Sequence, residues 1–189
     1  AGKTIMTGLL LKELIMRGIV ERILIITPGG LTKQWQEDEM GVKFNIPFTL
    51  VNRSLFTADP NIFRTANKIV TSIDFISRED VLSVVSNTSW DMVIFDESHK
   101  LSAYEYGQKT YKSKRYEAAY VLSQQCEHML LLTATPHRGR TDTFKKLLQL
   151  LDEDIFATDD VATERVKELS KDGLNKFFIR RLKEDMKDW

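Results

Sequence analysis

The chain has 189 residues, with 27 basic and 27 acidic side chains, and its formal net charge is zero when histidine is neutral. The 42% apolar and 29% charged residues are typical of one globular domain, and they exclude a disordered, collagen-like or coiled-coil chain. The balanced charge excludes a polybasic protein that coats nucleic acid, although it still allows a local basic face.

Aliphatic runs alternate with amphipathic stretches, and this alternation predicts an α/β domain with a mostly parallel sheet and helices on both faces. In chain order the predicted elements are helix Thr4–Arg17, strand Ile23–Thr27, helix Leu31–Glu39, strands Phe48–Val51 and Lys68–Ser72, helix Arg78–Ser86, strand Met92–Asp96, helix Arg115–Gln125, strand Met129–Thr133 and helix Asp142–Leu151. Residues 1–151 form the predicted domain, and residues 152–189 form a charged helical extension that ends it.

Two local patterns refine the predicted helices. The first predicted helix carries Ile5, Leu9, Leu10, Glu13, Leu14 and Met16 at helical spacing, and it is expected to end at Gly18. The pattern Ser77-x-x-Asp80 predicts a cap at the start of helix Arg78–Ser86.

Polar residues end three of the predicted strands. The strands Ile23–Thr27, Met92–Asp96 and Met129–Thr133 are almost wholly apolar, as expected for strands that helices cover on both faces. Ligands bind at the carboxyl ends of the strands in open α/β sheets. We therefore expect the functional site at this edge.

A phosphate-binding pattern opens the chain. Ala1-Gly2-Lys3-Thr4 stands at the start of the first predicted helix. Glycine lets backbone N–H groups converge on a phosphate, lysine reaches the terminal phosphates, and a threonine hydroxyl suits magnesium. The helix dipole adds to the attraction for an anion. An ordinary helix start is the alternative, because the run is short and the leading glycine of the motif is absent.

Two acidic residues follow the fourth predicted strand, in the run Asp96-Glu97-Ser98-His99. Asp96 is suited to hold magnesium through water, and Glu97 is suited to orient or deprotonate an attacking water. A polar loop after a buried strand is the alternative. The run Thr133-Ala134-Thr135-Pro136-His137 ends the fifth strand, where small hydroxyl residues could contact both the carboxylates and a nucleotide, or simply form a turn.

Taken together, these motifs resemble the first RecA-like lobe of superfamily-two helicases, and specifically the Swi/Snf-type DNA translocases, which include bacterial members. Further segments add to the resemblance over nearly the whole chain. They are Ile25-Ile26-Thr27-Pro28-Gly29-Gly30-Leu31 with Gln34-Trp35, Thr71-Ser72-Ile73-Asp74, Leu132 to His137, and Ile179-Arg180-Arg181-Leu182-Lys183-Glu184-Asp185.

The resemblance implies a set of roles. ATP would bind at Ala1, Gly2, Lys3 and Thr4, with Lys3 on the β- and γ-phosphates. Thr4 and Asp96 would hold Mg²⁺, and Glu97 would position water. His99, Thr133 and Thr135 would couple the nucleotide state to lobe movement, and Pro28, Gly29, Thr71 and Ser72 would follow a double-stranded DNA backbone. Backbone contacts of this kind carry no sequence information.

The resemblance also implies partners that these residues do not include. The family has a second RecA-like lobe, which supplies arginines to the transition state, and an adenine-recognising segment before the phosphate loop. An arginine of this kind is worth ~10³–10⁵ in rate. We therefore expect residues 1–189 by themselves to bind and hydrolyse ATP poorly. Two alternatives remain: a lobe of a DExH-type RNA helicase, and a non-hydrolysing interaction module.

The remaining signals favour structural interpretations. Cys126 and His128 lack a second ligand pair with zinc spacing, and the single cysteine excludes an internal disulfide. The single cysteine favours a reducing, cytoplasmic setting, and the resemblance implies a protein of bacterial type. With no apolar run near ~18 residues and no signal sequence, we expect no membrane partner. Trp35 is assigned to the core against Leu31. A basic patch with interleaved tyrosines is assigned to a solvated loop rather than to nucleic-acid binding; it consists of Lys109, Lys112, Lys114 and Arg115 with Tyr106, Tyr111 and Tyr116. Arg180 and Arg181 are expected to pair with nearby acids.

Overall fold

The computed structural model describes residues 2–106, 109–134, 141–152 and 156. Its seven helices are α1 Lys3–Met16, α2 Arg53–Ala58, α3 Ile62–Thr65, α4 Ile73–Ile76, α5 Glu79–Val85, α6 Lys114–Ser123 and α7 Thr141–Leu151. Its seven strands are β1 Ile23–Thr27, β2 Thr49–Leu50, β3 Lys68–Ser72, β4 Trp90–Phe95, β5 Ala103–Tyr106, β6 Lys109–Lys112 and β7 Cys126–Leu131. Short 3₁₀ turns span Gly29–Leu31 and Ser98–Lys100, and a π-helix spans Gln34–Lys43.

Five strands form a parallel sheet in the order β2-β3-β1-β4-β7. The central strand β1 has all five residues buried, because helices cover both faces of the sheet. Leu24 and Ile26 of β1 pack in one core cluster with α5 and α6, whereas Ile23 and Ile25 pack in the other with α1 and the π-helix. This alternation is what a strand with period two requires. The α/β prediction with a mostly parallel sheet is confirmed.

The parallel register brings the strand ends to one edge. Ile26 pairs with Thr71 and with Phe95, and Thr27 pairs with Ser72. Residues that follow these strands in the sequence, such as Pro28 and Asp96, therefore leave the sheet at the same edge. This is the edge at which the sequence predicted the functional site.

Strand positions agree with prediction at β1 and β3 and differ at the other predicted strands. β2 keeps only Thr49–Leu50 of the expected strand, and β4 begins at Trp90. The last strand of the sheet, β7, spans Cys126–Leu131 rather than Met129–Thr133. It carries exposed Glu127 and His128, because among the described residues it pairs only with β4. The prediction relied on apolar runs, so it left the first three residues of β7, Cys126–His128, out of the strand.

Helix predictions differ where local chemistry is unusual. The expected helix Leu31–Glu39 is a 3₁₀ turn followed by the π-helix Gln34–Lys43, and α2, α3 and α4 were not predicted. The expected Ser77 cap is wrong: the N-cap of α5 is Arg78, and the Ser77 hydroxyl donates to the Ile73 carbonyl. Ser77 instead bonds back into the preceding short helix α4.

The segment assigned to a solvated loop forms an antiparallel hairpin, β5–β6. Tyr104 pairs with Tyr111 across it, and their rings stack at 5.4 Å. Alternating aromatic and polar residues are typical of a strand pair with one wet face, and this stacking stabilises the pair. Residues 107–108 lie outside the description, as do residues 153–155 and 157–189, which contain the predicted extension and Arg180 and Arg181. Within the part of the chain that is described, no helix is long and apolar enough to cross a membrane.

Candidate functional site

The amino end of α1 meets the acidic run after β4. Gly2 has φ 88°, a left-handed conformation that favours glycine, and Lys3 follows it as the first residue of α1. The Lys3 Nζ lies 3.2 Å from Glu97 Oε1, and about a quarter of each side chain is exposed. Thr4 is half-buried in the first turn beside Lys3, and Ala1 lies outside the described residues. Two motifs that are 94 residues apart in sequence are therefore in contact.

Asp96 is fixed on both sides of its carboxylate. It follows β4, and its N–H donates to the Ile26 carbonyl at 2.8 Å. Its Oδ1 accepts from the Glu97 N–H at 2.9 Å, and its Oδ2 accepts from the Trp35 indole Nε1–H at 2.9 Å. Hydrogen bonds to a carboxylate are stronger than those between neutral groups. The carboxylate is therefore held in one orientation at the edge of the sheet.

Glu97 has φ 51° and ψ 44°, in the left-handed region. This conformation costs ~1–2 kcal/mol in a residue with a Cβ. It ends the extended chain after β4 and starts the 3₁₀ turn Ser98–Lys100. The turn places the Glu97 carboxylate between Lys3 and His99.

His99 connects Glu97 to the end of β7. Its Nδ1 lies 3.1 Å from Glu97 Oε2 and 3.3 Å from Thr133 Oγ1, and its side chain is 9% exposed. The neighbouring Ser98 N–H donates to the Leu132 carbonyl at 2.8 Å. Lys3, Glu97, His99 and Thr133 thus form a continuous polar chain across the sheet edge. Thr135 and His137 lie outside the described residues.

Trp35 was assigned to the core, and the structure does bury it, with 3% of the residue exposed. Partly buried Leu31 packs against the same core cluster. Sequence reasoning missed the bond from its indole to Asp96. A buried indole N–H usually finds an acceptor, and the polar strand ends were the nearest candidates. The bond could have been predicted from that rule.

Of the four residues predicted to follow DNA, three lie at least partly exposed on neighbouring segments, and Thr71 is buried. A Cβ on Gly29 would be 3.9 Å from the Ser72 Cβ, so the turn after β1 lies beside the end of β3. Gly29 is exposed, whereas Pro28 and Ser72 are half-buried. The Ser72 hydroxyl accepts from the Phe75 N–H and caps α4. Thr71 is completely buried and its hydroxyl donates to the Val51 carbonyl at 2.8 Å, so its side chain does not belong to this face.

A basic cavity of about 420 Å³ lies beside this face. One of its lining residues, Asp74, is two residues after Ser72 in the sequence. Four cationic side chains and one acidic side chain line the cavity. Its lining residues are Asp74, Ser77, Arg78, Lys100, Ser102, Ser113, Lys114 and Arg115. Arg115 donates to Asp74 at 2.7 Å, whereas Lys100 and Lys114 form no ion pair with any described residue. We call this feature the basic cavity.

A second cavity of about 690 Å³ shares Arg78 and Lys114 with the basic cavity but also contains Glu79 and Asp80. A hydrogen bond from Arg53 lowers the pKa of Asp80, so this carboxyl is ionised at neutral pH. The larger cavity is therefore less favourable for binding an anion than the basic cavity is.

The described side chains fit magnesium better than zinc. No group of three or more His, Cys, Asp or Glu residues is placed to hold a metal within the described ranges. Burial raises the pKa of the Cys126 thiol to about 11, which disfavours the thiolate that zinc requires. Magnesium that accompanies a nucleotide needs only one or two carboxylates besides the phosphates. Asp96, with its fixed carboxylate, meets that requirement.

Comparison with known proteins gives concordant matches. A protein-family model described as SNF2-related domain matches residues 1–188. The uncharacterized ATP-dependent helicase YqhH of Bacillus subtilis is 34% identical over 194 residues, which cover 97% of this chain and 32% of that protein. The RNA polymerase-associated protein RapA of Yersinia enterocolitica is 35% identical over 161 residues, which cover 82% of this chain and 16% of RapA. The chain thus spans a third or less of these relatives.

Among solved structures, the SWI2/SNF2 ATPase core of Sulfolobus solfataricus, in complex with double-stranded DNA, superposes with a TM-score of 0.73. The match covers 98% of this chain and 39% of that chain at 20% sequence identity. At that identity, the match shows a common fold and nothing further.

Proposed function

The chain belongs to the SNF2-related domain family, and from this premise we propose that it is the ATP-binding lobe of a Swi/Snf-type DNA translocase. The observation that carries the proposal is the contact between Lys3 and Glu97, beside the fixed Asp96. A lysine at a helix start and two acids at a strand end are the parts that ATP hydrolysis needs. The fold brings Lys3 and Glu97 into contact although they are 94 residues apart in the sequence.

In this mechanism Lys3 changes partner. Its ammonium contacts Glu97 at 3.2 Å. On ATP binding, Lys3 takes the β- and γ-phosphates as partners, since they carry more negative charge than one carboxylate. Glu97 is then released to orient or deprotonate the attacking water. The polar chain therefore makes the Glu97 carboxylate available when substrate is present.

Magnesium is proposed to be held by the Thr4 hydroxyl and the Asp96 carboxylate. When bound with ATP, it neutralises charge that develops on the phosphates. The hydrogen bonds from Trp35 and the Glu97 backbone hold the Asp96 carboxylate ready for that role.

His99 and Thr133 are proposed to report the nucleotide state to a second lobe, with Thr135 in the same role. His99 Nδ1 lies 3.1 Å from Glu97 Oε2 and 3.3 Å from Thr133 Oγ1, so a change at Glu97 reaches the residues after β7 through this one ring nitrogen. Because the chain spans 32% or less of its curated relatives, we place the second RecA-like lobe elsewhere in the parent protein. We expect residues 1–189 to hydrolyse ATP poorly without it.

Duplex DNA is the proposed nucleic acid. Pro28, Gly29 and Ser72 form the tracking face, and the similar fold was solved with double-stranded DNA. The basic cavity supports the proposal, because it adds Lys100 and Lys114, which form no ion pair with any described residue, beside a face that otherwise offers hydroxyls and amides. Such contacts bind the phosphate backbone whatever its sequence.

The test uses the full-length parent protein and measures its DNA-stimulated ATPase rate. We expect Lys3→Ala and Glu97→Gln each to lower the rate at least ~100-fold, since each removes a group that acts on the phosphates or the water. Lys12→Ala, an exposed lysine of α1, is the matched control and should leave the rate unchanged. Full activity in Lys3→Ala would refute the proposal. Stimulation by RNA and not by duplex DNA would instead favour a DExH-type RNA helicase.

A further inference from the structure

We propose that Trp35 is a positioning residue that holds the magnesium-binding carboxylate of Asp96 through its indole N–H. The inference rests on the proposed function, because it assumes that Asp96 serves magnesium. It goes further by giving a role in nucleotide chemistry to a core aromatic residue. Trp35 does not touch the nucleotide in this proposal, and it acts only through Asp96.

The geometry of the carboxylate supports this role. Trp35 Nε1 donates to Asp96 Oδ2 at 2.9 Å, and the Glu97 N–H donates to Oδ1 at the same distance. The carboxylate cannot rotate without losing at least one of these bonds. Each carboxylate oxygen can accept more than one hydrogen bond, so both oxygens keep a lone pair for a magnesium-bound water.

The indole suits this task because it can only donate. Serine, histidine and amide side chains can also accept, whereas Trp Nε1–H favours an acceptor in one fixed direction. Trp35 is 3% exposed, so water does not compete well for the bond. It is part of the π-helix Gln34–Lys43, and π-helical turns are frequent at functional sites.

A second buried tryptophan shows that indole burial alone does not explain the bond. Trp90 is 1% exposed, and its Nε1 has no hydrogen-bond partner among the described residues. It begins β4, whereas Asp96 directly follows the other end of that strand. The fold therefore tolerates one unpaired buried indole N–H and directs the other to Asp96. Trp90 is a matched control.

The deciding experiment replaces Trp35 by benzothienylalanine in the full-length parent protein. This side chain keeps the shape of the indole and lacks its N–H donor. Trp35→Phe is made alongside it, with Trp90→Phe as control. Two quantities are measured: the Mg²⁺ concentration for half-maximal DNA-stimulated ATPase activity, and Mn²⁺ binding in the presence of ADP, followed by electron paramagnetic resonance.

We expect both Trp35 variants to need roughly 10-fold more Mg²⁺ and to bind Mn²⁺ correspondingly more weakly, as is usual when a partner of a metal-binding side chain is lost. Saturating Mg²⁺ should restore much of the rate, which a misfolded protein would not show. Trp90→Phe should titrate like the unmodified protein. Wild-type Mg²⁺ and Mn²⁺ titrations of the benzothienylalanine protein would overturn the inference.

The outcome also separates this inference from the proposed function. If Lys3→Ala abolishes hydrolysis while the benzothienylalanine protein titrates normally, the proposed function stands and the role of Trp35 falls. If Lys3→Ala remains active, the proposed function itself falls, and the assignment of Asp96 falls with it.

Discussion

Ser98 is a residue whose burial costs stability. It is 1% exposed, and its hydroxyl has no hydrogen-bond partner among the described residues, although its backbone N–H donates to Leu132. Burying an unpaired hydroxyl costs ~1–3 kcal/mol. The residue that carries this cost lies between the proposed catalytic Glu97 and His99.

We expect Ser98→Ala to raise the free energy of unfolding by about 0.5–1 kcal/mol, because alanine removes the unpaired hydroxyl and keeps the backbone bond. Urea unfolding of both proteins measures the difference. Ser83→Ala is the control, since the Ser83 hydroxyl is exposed and donates to the Asp80 carbonyl. A loss of stability in Ser98→Ala would mean that its hydroxyl has a partner in solution.

At the scale of a single element, α1 makes a close packing contact at a glycine. Thr7, Gly8 and Leu11 are its buried positions, whereas Ile5 and Leu9 are 50% and 59% exposed. A Cβ on Gly8 would be 2.0 Å from the Phe44 ring. The glycine is therefore required by the close approach of the π-helix, whose last residue precedes Phe44.

Gly8→Ala should be destabilising even though alanine favours a helix by about 1 kcal/mol. Displacing the buried Phe44 ring costs ~1–3 kcal/mol, so we expect a net loss of up to about 2 kcal/mol in unfolding free energy. Thermal unfolding measures it. Gly30→Ala is the matched control, because no heavy atom lies within 4 Å of its added Cβ. A higher melting temperature in Gly8→Ala would contradict this packing.

The same helix shows how far sequence patterns reach. Its bounds are predicted within one residue at each end, because glycine lies on either side of an uninterrupted helical run. Which face packs was not predicted. Apolar residues surround the whole helix, so periodicity could not select a side, and the contact with Phe44 depends on a residue with no side chain. The tertiary contacts of α1 therefore decide which of its residues are buried.

At the scale of the whole molecule, charge is distributed unevenly. The net charge is zero, yet the basic cavity has four cationic side chains against one acidic one. Sequence analysis missed it because Arg78, Lys100 and Lys114 come from three separate segments. The hairpin and α6 bring these segments together only in the folded protein.

Lys100→Ala combined with Lys114→Ala should weaken duplex DNA binding by the full-length protein at low salt. The slope of log K against log salt concentration should fall by about 0.9 for each phosphate contact that is lost. Fluorescence anisotropy at several salt concentrations measures the slope. The control is Lys12→Ala with Arg17→Ala, which removes an exposed lysine of α1 and the exposed arginine that follows the helix, both outside the cavity. An unchanged slope would exclude the cavity from DNA binding.

The sheet and the acidic site could be predicted because each motif stands at a strand end or a helix start. The Trp35 bond, the burial of Thr71 and the π-helix could not, since each depends on which side chains meet across the fold. Pairings between distant segments are not encoded in any local pattern. Sequence therefore predicted a candidate site at this edge, and the folded structure shows the contacts that orient its residues.

The parallel register has a consequence for how such a protein can evolve. Ile26 is in step with Thr71 and with Phe95, so deleting one residue within β1 would shift the turn after β1 and reverse the face of the strand residues that follow the deletion. Insertions in loops distant from the carboxyl edge should instead be tolerated. The shared register thus fixes the spacing between the turn after β1 and the two acids after β4.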